Sequence, residues 1–137
     1  MSTGDLQKKV QIAASHWKPR FTANGIDVND FEKVVASTTL TDPEWQNTTV
    51  ISDDVPGQVA KLKADTDGAI LVAGSGTLVG TLLEHDLVDE LRVMVFPTVL
   101  GRGKRLFPDG IDRRKLRLVD ARTVGPDGVQ VNTYRRA

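Results

Sequence analysis

The chain has 137 residues, which is enough for one domain with a hydrophobic core and short for two. Eighteen lysines and arginines balance 18 aspartates and glutamates, so no net charge is available to hold nucleic acid or an acidic membrane. There is no cysteine, and the two histidines, His16 and His85, are far apart, which predicts that the chain has no metal site. We therefore predict a single domain over residues 1–137 that binds a small molecule or another protein.

The first residues, MSTGDLQKK, contain no apolar core of a signal peptide. The longest uncharged stretch, residues 68–83, is interrupted by glycines and is too short to span a bilayer. These two observations predict a soluble, cytoplasmic protein that has no membrane partner.

The first half of the chain predicts one helix, one loop, two strands and a second helix. An opening helix is predicted by apolar residues at steps of four, three and four: Leu6, Val10, Ala13 and Trp17. Residues 18–30 are polar and contain Pro19, which predicts a loop. The β-branched runs KVVAST (33–38) and TTVIS (48–52) predict short strands. A helix should follow, ending near residues 65–68; its expected features are a cap at Ser52 or Asp53, Pro56 in the first turn, and Val59 and Leu62 facing inward.

The second half predicts a strand, a helix and three further strands. The continuously apolar AILVA (69–73) is typical of a central strand covered on both faces. Helical spacing follows at Leu78, Val79, Leu82 and Leu83. ELRVMVFPTVL (90–100) predicts a strand parallel to AILVA, and residues 116–124 and 128–136 predict a closing antiparallel hairpin. The predicted fold class is α/β, in three layers, with a mixed, mostly parallel sheet.

Between AILVA and the next helix lies Gly74-Ser75-Gly76-Thr77, a position where α/β proteins bind ligands beyond the carboxyl ends of their strands. The glycines either let a phosphate approach the backbone or only make a tight turn capped by Ser75. The spacing matches neither a GxGxxG dinucleotide fingerprint nor a P-loop, because no acidic residue follows at the required distance and no lysine follows the glycines.

Three segments in order, "GSGTL", "LLEHDLVDEL" and "FPTVLGRGKRLF", resemble the dihydrofolate reductase-like superfamily. The resemblance covers about residues 31–136 and points to the branch related to the C-terminal reductase domain of the bifunctional riboflavin-biosynthesis deaminase/reductase. It implies an NADPH cofactor whose pyrophosphate lies on the glycine-rich turn. The implied cofactor-binding residues are Ser37, Thr38, Val72, Ala73, Gly74, Ser75, Gly76, Thr77 and Leu78. Among these, Ser37 and Thr38 would border the adenosine part, and Val72 and Ala73 the nicotinamide.

Members of this family open with an apolar strand, a substrate-facing loop, and a second strand and helix with a Gly-Arg pair. We find no counterpart of these elements in residues 1–30, and we therefore expect a fold that is truncated or altered at its N-terminus. A sheet that lacks a central strand would leave edges and apolar faces exposed, which predicts a symmetric homodimer in which the partner covers the sheet.

Charged and aromatic residues elsewhere leave alternatives open. Residues 101–117 carry seven basic and two acidic side chains, which form either a phosphate-attracting patch or a solvated loop balancing the acidic stretch 42–54. The carboxylates of Asp53, Asp54, Asp86, Asp89 and Glu90 lie beside predicted helix ends, where capping explains them better than acid–base catalysis. Trp45 packs over the sheet or borders an adenine pocket.

Three functions remain under consideration. The first is an NADPH-dependent oxidoreductase that transfers hydride to a small heterocyclic or sugar-derived substrate, with no catalytic residue identifiable from the sequence. The second is a nucleotide-binding or assembly module without turnover, which the altered N-terminus would favour. The third is a protein interaction domain without a ligand, which a closed glycine turn would favour.

Overall fold

The computed structural model describes residues 10–14, 22–23, 26–27 and 31–137, and it gives side-chain positions from residue 31 onward. This part of the chain forms nine strands and two helices. The backbone falls into two compact units, Met1–Thr81 and Leu82–Ala137. Within the described residues, neither helix is long and apolar enough to cross a membrane.

A four-stranded parallel sheet organises the first unit. In spatial order its strands are β5 (Thr48–Ile51), β4 (Glu32–Ala36), β1 (Val10–Ala14) and β6 (Ile70–Val72). Every pairing in this sheet is parallel. Two predicted strands, KVVAST and TTVIS, are confirmed as β4 and β5.

The predicted opening helix is wrong over Val10–Ala14, because these residues form β1 between β4 and β6. Ile12 lies opposite Val34 on one side and Val72 on the other. The spacing of apolar residues fits a helix here, but Val10 and Ile12 are β-branched and alternate along the chain, which favours a strand. Pairing with β4 and β6 supplies hydrogen-bond partners for the backbone of this strand on both sides. The expectation that the chain lacks a central strand is therefore wrong as well. Leu6 and Trp17, the other two residues of the predicted helix, lie outside the described residues.

The predicted loop over residues 18–30 also contains regular structure. Two short strands, β2 (Thr22–Ala23) and β3 (Ile26–Asp27), pair in antiparallel fashion. Each is only two residues long, which is too short to give an alternating apolar pattern in the sequence.

Helix α1 (Val55–Asp65) follows β5 and ends within the predicted range. Its cap is Asp54, not Ser52 or Asp53 as predicted, and the Gly57 N–H donates to Asp54 Oδ1 at 3.3 Å. Pro56 lies in the first turn, as expected. Val59 is buried together with Val34, Val35 and Ile51, so these residues form the core of the first unit, and Leu62 is half-buried.

Strand β6 lies at one end of the described four-stranded sheet, and Leu71 is 58% exposed, so the prediction of a central strand covered on both faces is wrong. Its three residues pair with β1. Helix α2 (Gly76–Glu84) follows at the predicted place.

Antiparallel strands make up the second unit, in the order β7 (Glu90–Val95), β9 (Val129–Arg136) and β8 (Leu116–Val124). Strands β8 and β9 confirm the predicted hairpin, with a register shift between Leu118 and Asp120. The strand predicted over 90–100 is confirmed over Glu90–Val95 as β7, which pairs with β9, and its parallel pairing with AILVA stays a prediction. Six residues of β7 pair with β9, from Glu90 opposite Arg135 to Val95 opposite Gln130.

Candidate functional site

The carboxyl ends of the parallel strands define the candidate site. From β1 the chain proceeds to β4 and then β5 on one side, and it returns to β6 on the other side of β1. This reversal makes the carboxyl ends of the neighbouring strands β1 and β6 a topological switch point. Open α/β sheets bind their ligands just beyond such a point. The segment from Ala73 to Ser75 leaves the sheet at this point and leads into α2.

The turn between β6 and α2 has the backbone geometry that glycine permits. Gly74 has φ of +99°, and a Cβ built on it would meet no atom within 4 Å. Open space on this side of the backbone is what a phosphate needs to approach the main chain. The peptide bond between Gly74 and Ser75 is cis.

Ser75 caps helix α2. Its carbonyl accepts the Val79 N–H at 2.9 Å, and its Oγ accepts the Leu78 N–H at 3.4 Å. The N–H groups of Gly76 and Thr77 precede the first bond within the helix, and among the described residues no acceptor is recorded for them. Ser75, Gly76 and Thr77 are all exposed, so this helix end presents two amide donors and a positive dipole end to solvent.

The other predicted residues of this turn have different positions. Val72 is half-buried at the end of β6, and Ala73 is exposed. Leu78 is only 8% exposed, so its side chain belongs to the core, and its contribution to the turn is the amide bonded to Ser75.

Ser37 and Thr38 lie at the same edge of the sheet, because they follow β4, which runs parallel to β6. Strand β1 separates the two, and a spacing of about 4.8 Å per strand places the ends of β4 and β6 about 10 Å apart. The Ser37 Oγ accepts the N–H groups of Thr39 at 3.2 Å and Leu40 at 3.1 Å, while Thr38 is exposed. The fold thus brings the two predicted segments to one edge.

Trp45 lies at the opposite edge of this sheet, near the amino ends of β4 and β5. The Lys33 Nζ lies 5.7 Å from the centre of its ring, and the same Nζ donates to the carbonyls of Phe31 and Gln46. Trp45 therefore packs against Lys33, as one of its two predicted roles requires, and a place beside an adenine pocket stays a prediction.

Four of the carboxylates for which capping was predicted have partners among the described residues, and one of the four, Asp54, is a helix cap. Asp54 caps α1, and Asp53 Oδ1 accepts the side-chain amide of Gln58 at 3.1 Å. In the second unit, Asp86 binds Arg114 and lies 3.8 Å from Arg136, and these two arginines donate to the carbonyls of Glu84 and Asp86 respectively. These bonds hold the residues just after α2 to the closing hairpin.

Glu90, the first residue of β7, is another carboxylate with arginine partners. Its Oε1 accepts Arg92 Nε at 2.8 Å, and its Oε2 accepts Arg135 Nη2 at 3.0 Å. The hydrogen bonds from Arg92 and then from Arg135 lower the pKa of Glu90 below its ordinary value. The group is a salt-bridged carboxylate on a strand and has no geometry that suggests proton transfer.

The carboxyl end of β1 also belongs to this edge of the sheet, and no sequence pattern had assigned it to the site. Strand β1 ends at Ala14 beside Ala36, and it lies next to β6, the strand that leads into the glycine turn. The available signal was the alternation of Val10, Ile12 and Ala14, which has the period of a strand.

Comparisons with known proteins agree with this fold. The model of the RibD C-terminal domain matches residues 10–130. Two uncharacterized proteins of Bacillus subtilis (strain 168) are similar: YyaP is 38% identical over 59% of this chain and 43% of its own length, and YwjB is 32% identical over 66% and 51%. The chain thus spans about half the length of these curated relatives.

A crystal structure from Shewanella sp. PV-4, of a protein named for riboflavin biosynthesis, matches all of this chain and 81% of its own, with a TM-score of 0.73 and 18% identity. At this identity the match shows the fold alone, and it confirms the predicted mixed α/β class of the dihydrofolate reductase-like type.

Proposed function

Because this chain belongs to the RibD C-terminal domain family, we propose that it is an NADPH-dependent reductase. It would transfer hydride from the nicotinamide to a C=N or C=O group of a small heterocyclic or sugar-derived substrate. The observation that carries the proposal is the open turn at the switch point, where the amides of Gly76 and Thr77 have no acceptor among the described residues and lie at a helix N-terminus.

The residues of this edge fit a dinucleotide. The pyrophosphate would lie against Gly74, Ser75, Gly76 and Thr77, because no side chain obstructs Gly74 and the helix dipole favours an anion there. Ser37 and Thr38, about 10 Å away across β1, would border the adenosine part of the cofactor. Their hydroxyls can donate to the extra phosphate that NADPH has there and NADH lacks. Val72 and Ala73 would form an apolar border for the nicotinamide.

Bound NADPH supplies the hydride, and the protein's task is to bind, orient and exclude water. The described carboxylates just beyond β5, Asp53 and Asp54, are occupied by Gln58 and by the α1 cap. We therefore assign no residue as general acid, and we propose that the proton comes from water or from the substrate.

The alternative of a nucleotide-binding or assembly module without turnover rested on the lack of the usual N-terminal elements, a central strand among them. Strand β1 occupies the place of a central strand between β4 and β6, which weakens the alternative. The open turn also argues against a domain that binds no ligand.

An activity screen tests the proposal. The purified chain would be incubated with NADPH and a panel of pterins and of pyrimidines carrying a ribosyl or ribityl group, and NADPH oxidation would be followed by absorbance. We expect turnover with at least one member of the panel and saturable NADPH binding. A folded protein that fails to bind NADPH would contradict the proposal, and binding without turnover of any panel member would favour the nucleotide-binding module over the reductase.

A further inference from the structure

One face of the antiparallel sheet in the second unit combines apolar and basic side chains. Leu91 lies directly opposite Tyr134, and Leu116 lies opposite Arg136. Residues opposite each other in antiparallel strands project to the same face, as do alternate residues along one strand. Leu91, Tyr134, Leu116 and Arg136 therefore share one face of this sheet.

A pocket of about 250 Å³ is lined by these residues together with Leu83 at the end of α2 and Asp86 just after it. All of its lining residues belong to the second unit, so the pocket is defined within that unit. Its volume lies below the roughly 300–1,000 Å³ of pockets that hold drug-sized ligands, which indicates a small ligand.

Part of the pocket wall is apolar. The ring of Tyr134 contributes to it, and so do four aliphatic side chains: Leu83, Val88, Leu91 and Leu116. Leu83 is a buried residue, so this wall continues into the core of the unit. An apolar wall of this kind favours a ligand with an apolar body.

The rest of the wall is mainly cationic. Five basic residues contribute to it: Arg113, Arg114, Lys115, Arg135 and Arg136. The acidic residues that line the pocket are two, Asp86 and Asp89. Basic side chains thus outnumber acidic ones, and the pocket favours an anion.

Ion pairs within the unit use only some of these cations. Asp86 binds Arg114 and lies 3.8 Å from Arg136, and Glu90 pairs with Arg135. No ion pair to another described residue is recorded for Arg113 or Lys115. These two side chains therefore retain their charge for a ligand.

Arg114 indicates where an anionic group would bind. Its Nη1 donates to Asp86 and its Nη2 to the Glu84 carbonyl at 2.8 Å, which fixes the guanidinium in place. Its Nε is buried and has no hydrogen-bond partner among the described residues. A buried donor is seldom left unpaired in a folded protein, and a charged donor prefers an anionic acceptor.

We propose that this pocket binds a small molecule in which an anionic oxygen group, a phosphate or a carboxylate, is joined to an apolar body. The anionic group would accept from Arg114 Nε and lie beside Arg113 and Lys115, and the apolar wall would cover the body. The start of β8 is held in place for this task, because the Ala137 N–H donates to the Lys115 carbonyl at 3.2 Å.

This pocket and the glycine turn lie at opposite ends of α2. The helix has nine residues, and a rise of 1.5 Å per residue separates its two ends by about 12 Å. The pocket is thus a second site, and the inference does not depend on the proposed reductase activity.

Tyr134 provides a local reporter of the pocket, because it is the only tyrosine of the chain. In the full chain labelled with ¹³C-tyrosine, the ring signals in an NMR spectrum come from this residue alone. The probes are phenyl phosphate, benzoate and inorganic phosphate. We expect a saturable shift of the Tyr134 signals with phenyl phosphate or benzoate, and the tighter of these two identifies the anionic group.

Inorganic phosphate should bind at least about fivefold more weakly than the tighter probe, because it has no apolar body to bury. The absence of a saturable shift with phenyl phosphate and benzoate at millimolar concentration would overturn the inference, and water would then be the partner of Arg114 Nε. Equal affinity for inorganic phosphate would overturn the proposed ligand class.

Two matched variants test the cations. Arg113→Gln/Lys115→Gln removes two charges from the pocket, whereas Arg117→Gln/Arg122→Gln removes two from β8 residues that do not line it. We expect the first variant to bind the tighter probe at least about tenfold more weakly and the second to change its affinity less than about twofold. Thermal unfolding would verify that both are folded. Equal losses in the two variants, or displacement of the probe by NADPH, would overturn the inference of a separate site.

Discussion

Ile12 lies directly opposite Val72 in parallel register. Because of this pairing, the carboxyl end of β1 stands beside the turn that leads from β6 into α2, and the chain changes direction across the sheet at that place. A reversal of this kind opens a crevice between the two strand ends. The position of the glycine turn is thus a consequence of β1, a strand built from residues that the helical spacing had assigned to a helix.

The cap of α1 predicts a coupled pair of substitutions. Asp54→Ala should cost about 1 kcal/mol of unfolding free energy, because the Gly57 N–H loses its acceptor. Gly57→Ala should also destabilise the wild type, since the new Cβ would lie 2.1 Å from Asp54 Oδ2 and displace the cap.

In the Asp54→Ala chain, the same Gly57→Ala change should instead stabilise, because alanine favours a helix by about 1 kcal/mol over glycine and the three atoms nearest the new Cβ, all in the Asp54 carboxyl group, are gone. Urea unfolding of the four proteins measures the cycle. Additive effects of the two substitutions would show that the cap does not make the contact described.

Packing in the second unit predicts a large effect at Leu82. This side chain is 2% exposed, so Leu82→Ala should lower the free energy of unfolding by about 2–5 kcal/mol. Leu71→Ala is the control, because Leu71 is 58% exposed and its truncation should change stability by only about 0.5 kcal/mol. Urea unfolding compares the two, and similar losses would mean that Leu82 is not a core residue.

Glu90 predicts a pH dependence with a definite sign. Its pKa is lower in the folded protein than its ordinary value of 4.5, because Arg92 and Arg135 hydrogen-bond the charged form. The pairing therefore stabilises the fold above that ordinary value, and the stabilisation is lost as the pH falls through the folded pKa.

Glu90→Gln removes this contribution. The difference in unfolding free energy between the wild type and the variant should be present near neutral pH, shrink as the pH falls below about 4.5, and decrease in high salt because the pair is exposed. Urea titrations across the acidic range measure this difference. A difference that stays constant over that range would contradict the ion pairing.

Most helices and strands were predicted correctly from local patterns, because caps, turns and β-branched runs depend on residues that are close in sequence. The start of α2 follows from Ser75 as a cap, and the closing hairpin follows from β-branched runs around Gly125 and Gly128. Strand β1 did not follow, because Val10, Ile12 and Ala13 satisfy helical and strand periods together, and only pairing with β4 and β6 decides between them.

The candidate site likewise has one part that follows from local sequence and one part that depends on long-range strand pairing. The glycine turn was found from its own residues, since Gly74 needs a positive φ and Ser75 is a good cap. The neighbour that makes it a crevice, the end of β1, is contributed from about 60 residues away and required the sheet order. The pairing of β7 with β9 likewise joins residues that are far apart in sequence.

Cofactor choice gives a further prediction. We expect NADPH to bind more tightly than NADH, with an affinity that falls as salt rises, because the extra phosphate adds charge. Thr38→Val should weaken NADPH binding about fivefold, the loss expected for one hydrogen bond, and leave NADH binding nearly unchanged. Fluorescence titrations with both cofactors provide the measurement. Equal losses for the two cofactors would remove Thr38 from the phosphate site.

The most direct test of the central claim is a charge placed at the start of α2. Thr77 is exposed, and its N–H is one of the two donors of the turn that have no acceptor in the part of the chain that the structure describes. Thr77→Glu puts a carboxylate where the pyrophosphate would lie, yet it should not destabilise the fold, because an acidic residue is favourable in the first turn of a helix. Thr77→Gln has nearly the same shape without the charge and is the matched control.

The measurement is the Kd for NADPH of the wild type and both variants, by fluorescence titration, with thermal unfolding to verify that each is folded. We expect the wild type and Thr77→Gln to bind with similar affinity, and Thr77→Glu to bind at least about tenfold more weakly, which corresponds to about 1.4 kcal/mol. Equal NADPH affinity in the Glu and Gln variants would contradict the proposal that this turn binds the cofactor's phosphates.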